Sequence, residues 1–242
     1  MRNVPRARLT VPKGPSEEIV RGRLIDAVIK SSKKLAYIHA GAGYGKTILL
    51  SQIASSAENS AWLSLDGEND IFTFVSTLCE EIKQSVPEFD FSASEYLPFS
   101  EKDNYVSMFA GAFICGIENI SREFVLVLDD VHTIEGADVK RFIACLFRYP
   151  PKNARTCIGS RTAPWSDLLP LQIRGEITEL TQRDLAFSAE EVNSILGFDV
   201  PYIYHSTEGW PLAVCSFKVL LERGMPVSDI PSYGNDALCS YL

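Results

Sequence analysis

Apolar residues fall along this chain in short continuous runs separated by stretches of helical period. Runs at 35–39, 61–65, 124–128, 155–160 and 176–180 read as strands, with helical patterns at 47–57, 70–85, 104–119 and 136–147 between them. Such alternation predicts an α/β fold, a mostly parallel sheet covered by helices. Residues 1 to about 18 are rich in proline and charge and read as an extended lead-in, after which residues 18–25 open a short amphipathic helix. The stretch 86–103 has no period and reads as a surface loop pinned by Phe89 and Phe91. After residue 185 the strand signals stop. Ser188 and Glu191 form a capping box for a helix to about Leu196, and the segment from Pro211 to Gly224 has a helix-start proline and a terminating glycine. The pattern therefore divides the chain into a sheet-bearing domain, 1–183, and a small helical domain, 184–242. The last residues, Tyr241 and Leu242, look like the start of another helix, as in a fragment of something longer.

Composition narrows the class. The chain has 242 residues, 46% of them hydrophobic, which is ample for a core. With 23 Lys and Arg against 31 Asp and Glu, the formal charge of −8 argues against a broad grip on nucleic acid, which needs a clustered basic surface. The basic stretch from Met1 to Arg8 is followed by no apolar segment of a signal peptide, and no run of 18 apolar residues is available to span a bilayer. The expected location is the cytoplasm, with no membrane partner. Six scattered cysteines without a C-x-x-C pair read as reduced core thiols. His39, His132 and His205 have no second ligand at metal spacing, although His132 follows a pair of acids closely.

Those acids belong to the chemistry-bearing part of the sequence. In the run Ala40-Gly41-Ala42-Gly43-Tyr44-Gly45-Lys46-Thr47, the glycines free the backbone to bring successive N–H groups, including those of Ala42 and Tyr44, around an anion. Lys46 adds a point charge for the β- and γ-phosphates of a nucleotide, and Thr47 offers a hydroxyl to Mg²⁺. The helix that follows directs its positive dipole end to the same phosphates. An apolar strand before and a helical pattern after complete the context of a P-loop. Ala40 departs from the pattern, which has glycine at its first position. A second apolar strand, Phe124 to Leu128, ends in Asp129 and Asp130 in the form of a Walker B element. Asp129 is the candidate to hold Mg²⁺ through water opposite Thr47, and Asp130 to orient or deprotonate an attacking water.

Paired acids of this kind resemble the P-loop branch that inserts a strand between the P-loop strand and the Walker B strand. That resemblance implies a three-layer sandwich with a five-stranded sheet of order 5-1-4-3-2, the 155–160 strand being the inserted one. Arg161, at its end, would then lie beside the γ-phosphate and report on its presence through a bidentate pair. Arg155 and Arg174 fit ordinary surface positions better.

Several phrases carry a closer likeness, in order along nearly the whole chain: Val20-Arg21-Gly22-Arg23-Leu24, Ala42-Gly43-Tyr44-Gly45-Lys46-Thr47, Trp62-Leu63-Ser64-Leu65-Asp66, Leu126 to His132, Ser160-Arg161, Asp184-Leu185-Ala186-Phe187-Ser188 and Gly209-Trp210-Pro211. Together they resemble the STAND class of signal-transduction ATPases, and within it the MalT-like branch of bacterial LuxR-type transcriptional regulators. The resemblance implies that Val20 and Arg23 pack near adenine and that Pro211 closes over the base. It further implies an ADP-bound resting state, an active state with ATP and a small-molecule inducer that self-associates, and slow hydrolysis that resets the switch. Inducer and DNA would be bound by regions outside these 242 residues. The acidic residue that many wider STAND relatives carry after the arginine is missing from Arg21-Gly22-Arg23-Leu24.

The phosphate site alone leaves other classes open. A motor-type ATPase or a small-molecule kinase would share it, but a kinase needs an arginine-rich lid over its acceptor, and residues 86–103 contain no arginine. A motor ATPase would take an arginine finger in trans. A scaffold with a degenerate site is disfavoured by the intact Lys46, Thr47, Asp129 and Asp130. No guanine-reading Asn-Lys-x-Asp element occurs, which fits adenine as the base.

Overall fold

The five apolar runs are strands in the computed structural model, which describes residues 8–12, 19–67, 69–197, 201–224 and 226. They are β1 (Leu35–His39), β2 (Ser60–Ser64), β3 (Phe124–Asp129), β4 (Ala154–Ser160) and β5 (Ile177–Leu180), each within a residue or so of its expected bounds. The sheet order is β2-β3-β4-β1-β5, and the β1–β4, β3–β4 and β2–β3 pairs are parallel. β4 therefore sits between β1 and β3, as expected for the inserted strand. The chain divides into two compact units, one of residues 1–39 and 47–179, the other of residues 40–46 and 180–242.

The short first helix, α1 (Gly22–Ile29), is displaced toward the C-terminus, while long helical patterns became helices where expected: α2 (Lys46–Ser56), α3 (Ile71–Ser85), α4 (Tyr105–Glu118) and α5 (Ala137–Arg148). Strand alternation sorts residues to two faces. On one face Leu35, Tyr37, Leu63, Leu126, Leu128 and Ile158 join the apolar sides of α3, α4 and α5 in a continuous core. Alternate residues Ala36, Ile38, Val125, Val127 and Cys157 are buried but stay outside that core, as do Leu24 and Val28 of α1 and Leu49, Leu50 and Ile53 of α2. Leu50 lies against Gly159 and Thr47 bonds Asp129, so α2 covers this second face and the arrangement has three layers.

Local chemistry sets several boundaries. Asp70 caps α3 by accepting from the Thr73 N–H at 2.7 Å. α1 starts at Gly22 and not at residue 18, because the Arg21 backbone is non-helical (φ −85°, ψ 55°) and its N–H is bonded at 3.0 Å to the side-chain oxygen of Gln52. Arg155 is no ordinary surface residue. Its guanidinium donates to the carbonyls of Lys33, Ile29 (3.1 Å) and Ser31 (2.8 Å), tying the exit of α1 to the start of β4. Arg174 is exposed and pairs in a fork with Glu176.

The 86–103 stretch holds a 3₁₀ helix at Ala93–Phe99 that its sequence did not announce. Phe89 and Phe91 do pin it: both are buried, and Phe91 stacks on Tyr96 and Phe109. In the lead-in, Leu9 packs on the main core and the Arg8 side chain donates to the Ser64 carbonyl at 2.9 Å. Three short helices were too brief to show a period: α6 (Leu169–Ile173), α7 (Gln182–Leu185) and α9 (Pro201–Thr207). Of these, α7 and α9 accompany the two expected in the second unit, α8 (Ala189–Leu196), whose capping box of Ser188 and Glu191 is formed, and α10 (Pro211–Glu222). The helix expected at Tyr241 and Leu242 lies outside the described residues.

Not all cysteines are core thiols. Cys79 and Cys157 are buried, and burial pushes both thiols up to about 12. Cys145 is half-buried, whereas Cys115 and Cys215 fall on the solvent sides of the apolar helices α4 and α10. Cys239 lies outside the described residues. No helix among the described residues is long and apolar enough to cross a membrane.

Candidate phosphate and metal site

In the first unit the acid at the end of β3 meets the hydroxyl at the start of α2. Asp129 is 1% exposed, and its Oδ2 accepts from Thr47 Oγ1 at 2.6 Å, a short charge-assisted bond. Its other oxygen, Oδ1, accepts from the Asp130 N–H at 2.9 Å, while its carbonyl accepts from the Leu65 N–H at 3.0 Å. Both carboxylate oxygens and the backbone of Asp129 are thereby fixed.

Asp130 takes a left-handed backbone (φ 56°, ψ 36°), uncommon for a residue with a side chain. The turn is held by Thr133, whose N–H and hydroxyl both donate to the Asp130 carbonyl at 2.9 and 2.8 Å. His132 Nδ1 lies 3.8 Å from Asp130 Oδ1, so the histidine noticed in the sequence is a neighbour of the second acid. On β4, Ser160 is fully buried and accepts from the Thr162 N–H, and Arg161 is exposed. Val20 is 71% exposed on a segment gripped by Gln52, whose amide donates to the Ile19 carbonyl at 2.8 Å and accepts from Arg21. Arg23 is exposed on α1.

The second unit contains the Gly-rich loop itself. Gly43 and Gly45 have φ of 74° and 77°, whereas Gly41 and Ala40 need no positive φ. Lys46 is 7% exposed and its ammonium donates to the carbonyls of Ala40 and Gly41, each at 2.9 Å, so the charge sits over the loop. The entry to α10 grips the same loop: Trp210 Nε1 donates to the Ala42 carbonyl at 3.1 Å, and the Leu212 N–H to the Gly43 carbonyl at 3.1 Å. The Gly41 N–H meets the side-chain oxygen of Gln182 at 3.4 Å, and the Tyr44 ring lies tilted against Trp210, centroids 6.3 Å apart.

Pro211 is buried at the first turn of α10. The turn before it is strained, with φ of 49° at Glu208 and 74° at Gly209. Gly209 is locked there because a Cβ would fall 2.1 Å from the Phe187 carbonyl oxygen, and the Phe187 N–H bonds back to Gly209 at 2.8 Å. Sequence reasoning missed Gln182, Trp210 and Leu212 as neighbours of the loop, and Gln52. Only the Gly-Trp-Pro phrase carried a signal, and it pointed to the proline.

Taken separately, the oxygens of Thr47 and Asp129 in the first unit suit a divalent metal, and the loop of the second unit suits an anion. Hydroxyl and carboxylate oxygens are the hard ligands Mg²⁺ prefers, and positive-φ glycines turn backbone N–H groups toward an anion.

No protein-family model matches this sequence. Over 222 residues, 86% of the chain, it is 29% identical to the HTH-type transcriptional regulator MalT of Vibrio parahaemolyticus, and 28% identical to that of Vibrio campbellii. The MalT regulator of Klebsiella pneumoniae is 29% identical over 187 residues, 76% of the chain. The chain is thus similar to MalT regulators over most of its own length, and it spans 24% of the Vibrio proteins and 21% of the Klebsiella one.

Proposed function

We propose that this chain is the adenine-nucleotide module of a MalT-like, LuxR-type transcriptional regulator. It would act in the cytoplasm as a STAND-class switch, resting with ADP and activated by ATP together with an inducer. The observation that carries the metal side is the 2.6 Å bond between Thr47 and Asp129, since those two oxygens are the pair a P-loop protein offers to Mg²⁺. Similarity to MalT regulators supports the regulatory output.

The side chains have distinct roles in this reading. Lys46 gives up its two loop carbonyls for phosphate oxygens, which accounts for a buried ammonium held so close to the loop. Thr47 and Asp129 hold Mg²⁺, and a bound Mg²⁺–ATP supplies the cleavable γ-phosphate that distinguishes the two states. Asp130, kept in its strained turn, orients the water, and exposed Arg161 is available to the γ-phosphate. Val20 and Arg23 serve the base side. The bonds from Trp210 and Leu212 make loop geometry and α10 entry interdependent, so the state of the loop is passed to the helical unit. Self-association, inducer and DNA belong to the full-length protein.

Nucleotide released from the denatured purified protein is identified by chromatography, and ADP and ATP are then titrated by calorimetry with and without Mg²⁺. Both nucleotides are expected to bind, and Lys46→Ala to weaken them roughly tenfold to a hundredfold, the net loss of about one charge-assisted bond worth ~1.5–3 kcal/mol. Absence of any bound or titratable nucleotide would overturn the proposal. Turnover of about 1–10³ s⁻¹ would instead mark an enzyme whose output is phosphoryl chemistry.

A further inference from the structure

We propose that Gly159 is a positioning residue for the acid at the end of β3: its missing side chain is the space in which the Asp129 carboxylate reaches Thr47. This inference rests on the nucleotide and Mg²⁺ reading above. Gly159 lies one step beyond the Leu128–Ile158 pair of the parallel β3–β4 ladder, so a side chain there would project from the same face as Asp129. A Cβ built on Gly159 would fall 2.2 Å from Asp129 Oδ1, 3.3 Å from its Cγ and 2.7 Å from Leu50 Cδ1. Glycine is not needed here for backbone conformation, because Gly159 is absent from the positive-φ residues. It is needed for close approach, the other reason for glycine inside a strand.

The consequences converge on one carboxylate. Oδ1, the atom in the way, is the acceptor of the Asp130 N–H, and Oδ2 on the same group is the acceptor of Thr47. Leu50 and Thr47 both belong to α2, so the carboxylate cannot swing away from residue 159 without leaving its hydroxyl partner or displacing the helix that carries it. Even one methyl group at 159 therefore acts on the metal-ligand pair while touching no nucleotide. Gly159 sets where the acid stands, and thereby how strongly Mg²⁺ contributes to nucleotide binding.

The test combines Gly159→Ala with Asp129→Ala and Leu50→Ala, reading ADP affinity with and without Mg²⁺ and the urea midpoint of each protein. Gly159→Ala is expected to lower the Mg²⁺-dependent gain in affinity by about ten- to a hundredfold, the range for residues that orient metal ligands, with Mg²⁺-free affinity almost unchanged. Adding Leu50→Ala should not restore that gain. In the Asp129→Ala background, alanine at 159 should leave the urea midpoint nearly where it was, even if Gly159→Ala alone fails to fold. An intact Mg²⁺ gain in Gly159→Ala, equal losses with and without metal, rescue by Leu50→Ala, or equal destabilisation in the Asp129→Ala background would each overturn the inference. Failure of the wild type to bind ADP would overturn the nucleotide reading and this inference with it, and is distinguishable because it needs no variant.

Discussion

Gly43 and Gly45 are two residues apart in the same loop and share nearly the same backbone, φ 74° and 77°, yet alanine should be far worse at one than at the other. A Cβ at Gly45 meets no atom within 4 Å. At Gly43 it would stand 2.7 Å from Leu212 Cβ and 2.9 Å from both Leu212 Cδ2 and Trp210 Nε1. The left-handed backbone costs an L-residue ~1–2 kcal/mol at either site, and this cost cancels in the comparison. What remains at Gly43 is overpacking, ~1–3 kcal/mol, or the opening of the contact to relieve it. Opening gives up the bonds from Trp210 Nε1 to Ala42 and from Leu212 N–H to Gly43, at ~1 kcal/mol each, so either route ends near 2 kcal/mol. Gly43→Ala should therefore be less stable than Gly45→Ala by about 2 kcal/mol.

Nucleotide-free variants are unfolded in urea and followed by both fluorescence and circular dichroism, the slope m serving as the check on comparable transitions. The thermal midpoints should differ by about 4–8 °C, from ~2–4 °C per kcal/mol for a chain of this length. Replacing Trp210 with Phe in both proteins should shrink the gap, because one of the three close atoms and its hydrogen bond go together. Equal midpoints for Gly43→Ala and Gly45→Ala, or a lower one for Gly45→Ala, would refute the clasp between the loop and the entry of α10.

Two further substitutions probe the first unit. Glu81 is 4% exposed on α3, and burial pushes its carboxyl up to about 7 from the ordinary 4.5 despite the opposing hydrogen bond from Gln84. The folded protein keeps this proton to a higher pH than the unfolded chain, so its contribution is fully present below about pH 4.5 and is lost as pH rises through about 7. Glu81→Gln should flatten the fall of thermal midpoint between pH 5 and 8 and be more stable than wild type at pH 8; an unchanged slope would refute this assignment. Arg155→Ala leaves three carbonyls at the exit of α1 without their donor and should cost about 2–4 kcal/mol in urea unfolding, with Arg155→Lys recovering little because an ammonium lacks the planar fork. A cost under about 0.5 kcal/mol would show the carbonyls to be equally well served by water.

Long periodic segments were legible, and the physical reason is redundancy: α4 repeats its signal through Tyr105, Phe109, Phe113 and Ile117, all buried on one side. Strand runs such as Leu35 to His39 were legible because burial on both faces leaves no polar alternation to confuse them. Thr47 and Asp129 were legible as a pair because each sits at the end of an element with its own pattern. Less visible were interactions made by side chains to backbone far away in sequence. Arg155 reads as any surface arginine until Ile29 and Ser31 are seen to surround it, and Gln52 reads as any helix residue until Ile19 and Arg21 are beside it. Short helices such as α7 span barely one turn, too little for a period, although Thr181 and Asp184 form a capping box that marks its start.

The glycines show why a motif is an incomplete description of a site. Within the protein itself Gly45 serves backbone conformation, since its φ is positive and no protein atom crowds it; Gly43 serves both conformation and space; Gly159, outside any motif, serves space alone. Ala40 completes the series from the other direction. It occupies a position where the P-loop pattern has glycine, yet its φ is not positive, it is 4% exposed, and the atom it contributes to Lys46 is its carbonyl oxygen, which any residue possesses. The departure that looked like a defect in the sequence therefore falls at a position of the loop that asks nothing special of its side chain beyond being small enough to bury. By the same reasoning the first position of the loop is the one where this chain tolerates a change from glycine, while Gly43 and the single glycine of β4 are held by neighbours that leave no room for a methyl group.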